Sequence, residues 1–166
     1  RGEGCWLIDG EGQRYLDGNA SVWTNVHGHN DPDLNRALRE QSEKIAHVTL
    51  LGLNHPIATE LAEDLAGLTN GALPRCFYTD NGSNAIEVAL KLSFQYWQLV
   101  GQEAKRGVIS MEGAYHGDTF GTMAVGERSE FHRRFNPRLI AAQTFPAPGQ
   151  SESAGKVARS ASSASL

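Results

Sequence analysis

The chain has 166 residues, 40% of them apolar and 20% charged, with a net charge of −4; that is enough chain and enough apolar content for one folded, soluble domain with a real core. The negative balance offers no basic field to nucleic acid, and no apolar run approaches the ~18 residues of a membrane span, so neither is an expected partner. The opening RGEGCWLIDG lacks the apolar core of a signal peptide and begins without methionine, so the expected N-terminus lies upstream; two cysteines, Cys5 and Cys76, are too few for a disulfide framework and read as ordinary small hydrophobes in a reducing cytoplasm.

In chain order, CWLIDGEGQRYLDG predicts a hairpin, with Asp9-Gly10-Glu11-Gly12 as a turn of residues that tolerate positive φ. NASVWTNVHGHNDPDL has no periodicity and reads as a loop. Its His27-Gly28-His29 invites a metal reading, but no cysteine or carboxylate cluster accompanies it, and no metal is expected. Trp23 near this loop suits either a substrate wall or simple packing. Asp31-Pro32 then opens a helix, Asp as cap and Pro in the first turn, with Leu34, Ala37, Leu38, Ile45 and Val48 on one face. A second helix spans about His55 to Leu68. RCFYT, residues 75–79, is a strand candidate. The long helix that follows carries Ile86, Ala89, Leu90, Phe94 and Trp97 on one stripe, and Asn84 with Glu87 resembles a capping box. GVISMEG (107–113) and LIAAQTF (139–145) predict buried strands, joined by the glycine-punctuated AYHGDTFGTMAVG, a loop entering a short helix. Strands alternating with helices predict an α/β architecture with a largely parallel sheet.

Between the 75–79 strand and the long helix lies Asn81-Gly82-Ser83. A small-residue turn entering a helix is suited to an anion: the first amides have no internal partner and the helix dipole is positive there. Gly82 allows close approach of a phosphate and Ser83 adds a hydroxyl donor. An ordinary helix cap explains the same residues, and neither G-x-x-x-x-G-K-[ST] nor G-x-G-x-x-G is present. The second constellation, GAYHGDTFG (113–121), follows a predicted strand, where ligands lie in open α/β sheets. Tyr115 there can stack on a flat heterocycle and His116 position it, or Tyr115 can be a core tyrosine beside a turn. Taken together, a phosphate cradle and a stacking aromatic point to a phosphorylated aromatic cofactor.

YLDGNASVWTNVHGHNDPDLNRAL, FYTDNGSNAIEVALKLSFQYWQ and GAYHGDTFGTMAVG together resemble the class III, fold type I aminotransferases that use pyridoxal 5'-phosphate, over about residues 5–147. QYW near the helix end and the tryptophan before HGH resemble the biotin-synthesis branch of that family, rather than its ornithine or 4-aminobutyrate branches. The resemblance implies that Gly82 and Ser83 bind the cofactor phosphate, that Tyr115 lies against the pyridine ring and borders the substrate, and that Val22 and Trp23 form a pocket wall where biotin-branch members often carry two tryptophans. It also implies transamination of 8-amino-7-oxononanoate to 7,8-diaminononanoate with S-adenosylmethionine or another amino donor, in a cytoplasmic homodimer. The expected organisation is residues 1–54 as the N-terminal part of a small domain with its linker, 55–147 as part of the cofactor-binding large domain, and 148–166 as a low-complexity, disordered tail of mostly Ser, Ala and Gly.

The family's Schiff-base lysine has no counterpart among Lys44, Lys91, Lys105 and Lys156, so no catalytic residue is expected here. The composition shift near Pro148 suggests that family sequence stops there, as a frameshift, a premature stop or a fragmentary gene model would cause. Two other readings stay open: a different class III ω-aminotransferase, and a non-catalytic truncated product.

Overall fold

A computed structural model describes residues 1–148; the expectation of a disordered tail falls on 149–166, outside the described residues. The chain divides into two compact units, Arg1–Cys76 and Phe77 onward.

The first unit opens with three antiparallel strands, β1 (Gly2–Glu3), β2 (Trp6–Ile8) and β3 (Arg14–Leu16), in that spatial order, with Leu7 opposite Tyr15. The expected hairpin is β2–β3. Asp9 closes it by accepting from the amides of Glu11 and Gln13, both at 2.9 Å, and from the Tyr15 hydroxyl at 3.1 Å. The Gln13 amide, first among these donors, holds the Asp9 carboxyl below the usual carboxylate range. Within NASVWTNVHGHN the expected plain loop contains a four-residue helical turn, α1 (Ala20–Trp23), built on positive φ throughout: +53° at Ala20, +49° at Ser21, +62° at Val22 and +66° at Trp23. This is the left-handed region, disfavoured for L-residues and most of all for a β-branched one such as Val22.

Helix α2 (Pro32–Lys44) begins as expected: the Asp31 carboxylate accepts from the amides of Asp33 and Leu34, both at 3.0 Å, and Pro32 occupies the first turn. Its end differs from expectation. Ile45 is already extended, at φ −164°, and Val48 lies outside the helix, because Gln41 turns back to donate to the Ile45 carbonyl at 3.0 Å. Helix α3 (Pro56–Leu68) follows the expected bounds with His55 as its N-cap.

In the second unit, residues 75–79 do not form a strand: a strand needs a ladder neighbour, and no sheet among the described residues includes them. The helix α4 (Gly82–Leu99) comes next, then β4 (Val108–Met111), α5 (Phe120–Val125), a 3₁₀ turn (Arg133–Arg138) and β5 (Ala142–Phe145). Strands β4 and β5 pair in parallel, with Ile109 opposite Gln143, which is the α/β pattern expected. β5 starts three residues later than expected, since the chain leaves the 3₁₀ turn extended at Leu139 and the Ile140 carbonyl is taken by the Arg128 guanidinium at 3.1 Å. Neither β4 nor β5 is a buried core strand: in β4 only Ser110 is buried, and most of β5 is exposed. The buried centre is instead α5, whose Thr122, Met123, Ala124 and Val125 are enclosed. The stripe of α4 faces β4 across an open gap lined by Leu90, Phe94, Trp97, Val108 and Ile109. Cys5 and Cys76 are free and exposed rather than enclosed, and among the described residues no helix is long and apolar enough to cross a membrane.

Replacing Asp31 by Ala removes the side-chain acceptor of two first-turn amides of α2. We expect a loss of about 1 kcal/mol, read as a lower midpoint in urea unfolding followed by helical circular dichroism; Asp31→Ser should restore most of it.

Candidate functional site

The entrance of α4 is organised by Asn81, which is extended (φ −159°, ψ 170°) and accepts from the Asn84 amide at 2.9 Å. The cap is therefore Asn81, and the capping box expected from Asn84 and Glu87 does not form. Asn84 instead donates its side-chain amide to Asp80, which holds the Asp80 carboxyl below the usual carboxylate range. Asn81 also takes the Ala85 amide on its carbonyl. The amides of Gly82 and Ser83 are left without an acceptor among the described residues, as is the Ser83 hydroxyl. Nothing lies within 4 Å of the Cβ that Gly82 lacks, and its φ is not positive, so this chain's own packing does not require a glycine there.

The loop after β4 meets this turn. Gly117 sits at φ +119°, and a Cβ on it would fall 1.9 Å from the Ser83 hydroxyl oxygen; a Cβ on Gly121 would fall 2.3 Å from a Glu87 carboxylate oxygen. Ser83 and Glu87 are four apart and share a face of α4; Gly117 and Gly121 are four apart in the loop that lies on it. Glu87 also accepts from the Thr119 hydroxyl and, at 2.8 Å, from the Gly121 amide, and so caps α5 from a neighbouring helix. The far end of the loop is closed by Glu127, whose amide donates to the Ala114 carbonyl at 2.7 Å.

Tyr115, two residues before Gly117, is exposed. Its hydroxyl donates to Asp118 at 3.1 Å, and that bond, with the carboxylate charge, raises the phenol above its ordinary pKa. The other Asp118 oxygen meets Nε2 of the buried His132 at 3.1 Å, while His132 Nδ1 meets the Glu127 carbonyl at 3.2 Å. Both ring nitrogens thus face acceptors. Tyr115, Asp118 and His132 border a cleft of about 570 Å³ with Phe120, Phe131 and Phe135. His116 is half-buried and lines a smaller gap with Ile86 and Val125.

Val22 and Trp23 belong to the first unit, and both are exposed. Trp23 borders a cleft of about 500 Å³ that also includes Asp17, Asn19 and His29. There His29 Nε2 pairs with Asp17 at 2.7 Å, and the Asp17 carboxylate accepts from the Ser21 hydroxyl at 2.7 Å and the Ser21 amide at 2.9 Å. These two Ser21 bonds, and after them His29, hold the Asp17 carboxyl at about 2. His29 is thereby tied to structure, and its carbonyl and amide bond to Gly4 at 3.0 and 2.7 Å. Among the described residues no group of three His, Cys, Asp or Glu is placed to hold a metal.

The structure therefore places Gly82, Ser83 and Tyr115 in the second unit, with Gly117 of the Tyr115 loop against Ser83, while Val22 and Trp23 lie in the first. Glu87, Asp118, His132 and the Asp17–His29 pair were not singled out as contacts from the sequence. The matched four-residue spacings of Ser83/Glu87 and Gly117/Gly121 were a usable signal for the first of them. Lys91 lies about 13 Å along α4 from Gly82 at 1.5 Å per residue, Lys105 stacks over the Trp97 ring at 3.7 Å, and Lys44 ends α2.

The fold has close counterparts among solved transaminases. An adenosylmethionine-8-amino-7-oxononanoate aminotransferase from Methanocaldococcus jannaschii superposes with a TM-score of 0.85 at 39% identity, over 92% of this chain and 35% of that one. An (S)-enantioselective omega-transaminase from Thermomicrobium roseum superposes with a TM-score of 0.82 at 37% identity, over 96% of this chain and 37% of that one. The architecture is thus part of the fold type I transaminase fold. The model of the aminotransferase class-III family matches residues 1–164, and the chain belongs to that family. The adenosylmethionine-8-amino-7-oxononanoate aminotransferase of Geobacter sulfurreducens is 48% identical over 147 residues, covering 89% of this chain and 32% of that protein. The chain spans about a third of the length of the curated relatives it matches.

Two outcomes follow from this geometry. Because the folded Asp17 pKa is depressed, its contribution to stability is full above the ordinary carboxylate value of 3.8 and disappears as pH falls through about 2. Carboxyl ¹³C titration should find Asp17 near 2 in the native chain, and Ser21→Ala should move it back toward 3.8. Gly117→Ala should cost about 1–2 kcal/mol from backbone conformation alone, with a further loss from the Ser83 contact, read as a lowered melting temperature; Gly82→Ala should leave melting within error.

Proposed function

We propose that the Gly82–Ser83 turn binds the phosphate of pyridoxal 5'-phosphate, and that the protein transaminates 8-amino-7-oxononanoate to 7,8-diaminononanoate in biotin synthesis, with S-adenosylmethionine or another amine as donor. One observation carries the site: two amides and a hydroxyl without a partner among the described residues, at the start of an 18-residue helix and against the loop that bears Tyr115. Three donors converging at the positive end of a helix fit a dianionic group. The open space over Gly82 fits close approach of that group. The names of the Geobacter and Methanocaldococcus relatives support the substrate.

When bound, the cofactor supplies an aromatic electron sink for moving an amino group. This chain's residues supply position. Gly82 and Ser83 anchor the phosphate; Tyr115, its hydroxyl held by Asp118, presents a ring face to the cofactor ring and borders the substrate. Val22 and Trp23 are assigned to the substrate wall. The same reading places residues 1–54 in the small domain and 55–147 in the cofactor-binding domain, although the first compact unit runs on to Cys76. It also places the protein in the cytoplasm as a homodimer, in which the many exposed large apolar side chains find cover.

A second reading, a class III ω-aminotransferase with another substrate, is favoured by Val22. A valine stands where biotin-branch members often carry a tryptophan, which opens that wall, and the Thermomicrobium omega-transaminase is a structural counterpart. Turnover of 8-amino-7-oxononanoate against simple aliphatic amines and ketones separates the two.

The site itself is tested by titrating the ¹⁵N-labelled chain with inorganic phosphate. The Gly82 and Ser83 amides should shift, and Ser83→Ala should weaken binding about ten- to hundredfold; silent amides at both positions overturn the reading. With none of the described lysines at the turn, borohydride treatment in the presence of pyridoxal 5'-phosphate should fix no adduct at a single lysine of this chain, and one uniquely modified peptide in the mass spectrum refutes that.

A further inference from the structure

We infer that Glu87 is a positioning residue that sets the ring-bearing loop in register with the phosphate-bearing turn; the inference deepens the cofactor reading above and rests on it for its ligand arm. Four observations converge. Glu87 reaches across 34 residues of sequence to accept from the Gly121 amide at 2.8 Å, and it accepts from the Thr119 hydroxyl as well. Thr119 holds the N-cap position of α5 yet makes no cap bond to that helix; Glu87 supplies the acceptor instead. Gly121 leaves the room the carboxylate occupies, since a Cβ there would fall 2.3 Å from it. One helical turn earlier on the same face, Ser83 meets Gly117 in the same way.

The consequence is a two-point dock. A loop touching α4 only at Gly117 could pivot about Ser83. A second contact one turn along the helix stops that pivot and fixes where Tyr115, two residues from Gly117, stands relative to the Gly82 and Ser83 amides. Glu87 itself sits a full turn below those amides, about 6–7.5 Å along the axis, too far down to touch the phosphate. Its effect therefore falls on ligands that engage the turn and the ring together, and spares those that engage the turn alone.

The probes are inorganic phosphate and pyridoxine 5'-phosphate, which adds the ring but has no aldehyde, both titrated by NMR into the 166-residue chain. The native chain should prefer pyridoxine 5'-phosphate by about two- to tenfold, the range of one aromatic contact. Glu87→Ala should bring that ratio to about one with phosphate affinity kept within about twofold, and Glu87→Gln, which keeps an acceptor oxygen, should retain the preference. An unchanged ratio in Glu87→Ala, a parallel fall for both probes, or a loss in Glu87→Gln as large as in Glu87→Ala overturns the assignment. A ligand-free arm separates this from the cofactor reading: the nuclear Overhauser contact between Gly117 Hα and Ser83 Hβ should vanish in Glu87→Ala while the amide shifts of α4 persist. If it persists, the positioning role is wrong even where phosphate binds; if neither probe binds the native chain but the contact depends on Glu87, the cofactor reading fails and the register role stands.

Discussion

The second unit depends on how closely one loop can approach one helix. Residues 113–121 lie on α4 because glycines stand at the two places where α4 presents Ser83 and Glu87. A side chain at either place would meet an oxygen well inside van der Waals contact, so the loop would lift away. That approach carries the rest. It sets the loop that bears Tyr115 against the start of α4, provides an acceptor for the start of α5, and lets Thr122 to Val125 become the enclosed centre of the unit. The hydrogen bonds are few and polar. The energetic weight comes from what they permit, which is burial of α5.

The same arrangement explains why the Gly82–Ser83 turn stays open. A helix entrance satisfied by its own cap has little affinity left for a ligand. Here Asn81 takes the Asn84 amide with its side chain, the adjacent Asp80 carboxylate is engaged by the Asn84 side-chain amide, and Glu87, beyond the first turn, is drawn toward α5. The turn thus keeps two donors and the dipole at its entrance. Tyr115 shows a related division of labour: its hydroxyl is engaged by Asp118, which leaves the ring face as the surface it offers.

Much of this was legible in the sequence, for physical reasons that differ from element to element. Asp31-Pro32 announces α2 because cap and first-turn preferences are local. The β2–β3 hairpin follows from its Asp/Gly turn, and β4 from a short apolar run ended by a glycine. Gly82, Ser83 and Tyr115 were legible as candidates because small residues at a helix entrance and an aromatic between two nearby glycines have local meanings. Other features are settled by contacts distant in sequence. Residues 75–79 carry strand composition but join no sheet among the described residues. Asn84 with Glu87 has the spacing of a capping box, yet Glu87 serves a helix more than 30 residues away. The end of α2 was misplaced because a single glutamine turns back on the Ile45 carbonyl. The Asp17–His29 pair joins residues with no shared periodicity at all, and it engages the second histidine of HGH as a brace.

The left-handed turn at Ala20–Trp23 has an evolutionary corollary. Four glycines would adopt that backbone at no steric cost, yet side chains occupy all four places, a valine and a tryptophan among them. Whatever benefit those side chains bring must outweigh an unfavourable conformation inherited by every variant at these sites. Engineering a larger or smaller surface there is consequently a two-variable problem. Enlarging position 22 changes the exposed shape and the conformational tension of the stretch at the same moment, whereas a glycine would relax the tension and remove the side chain.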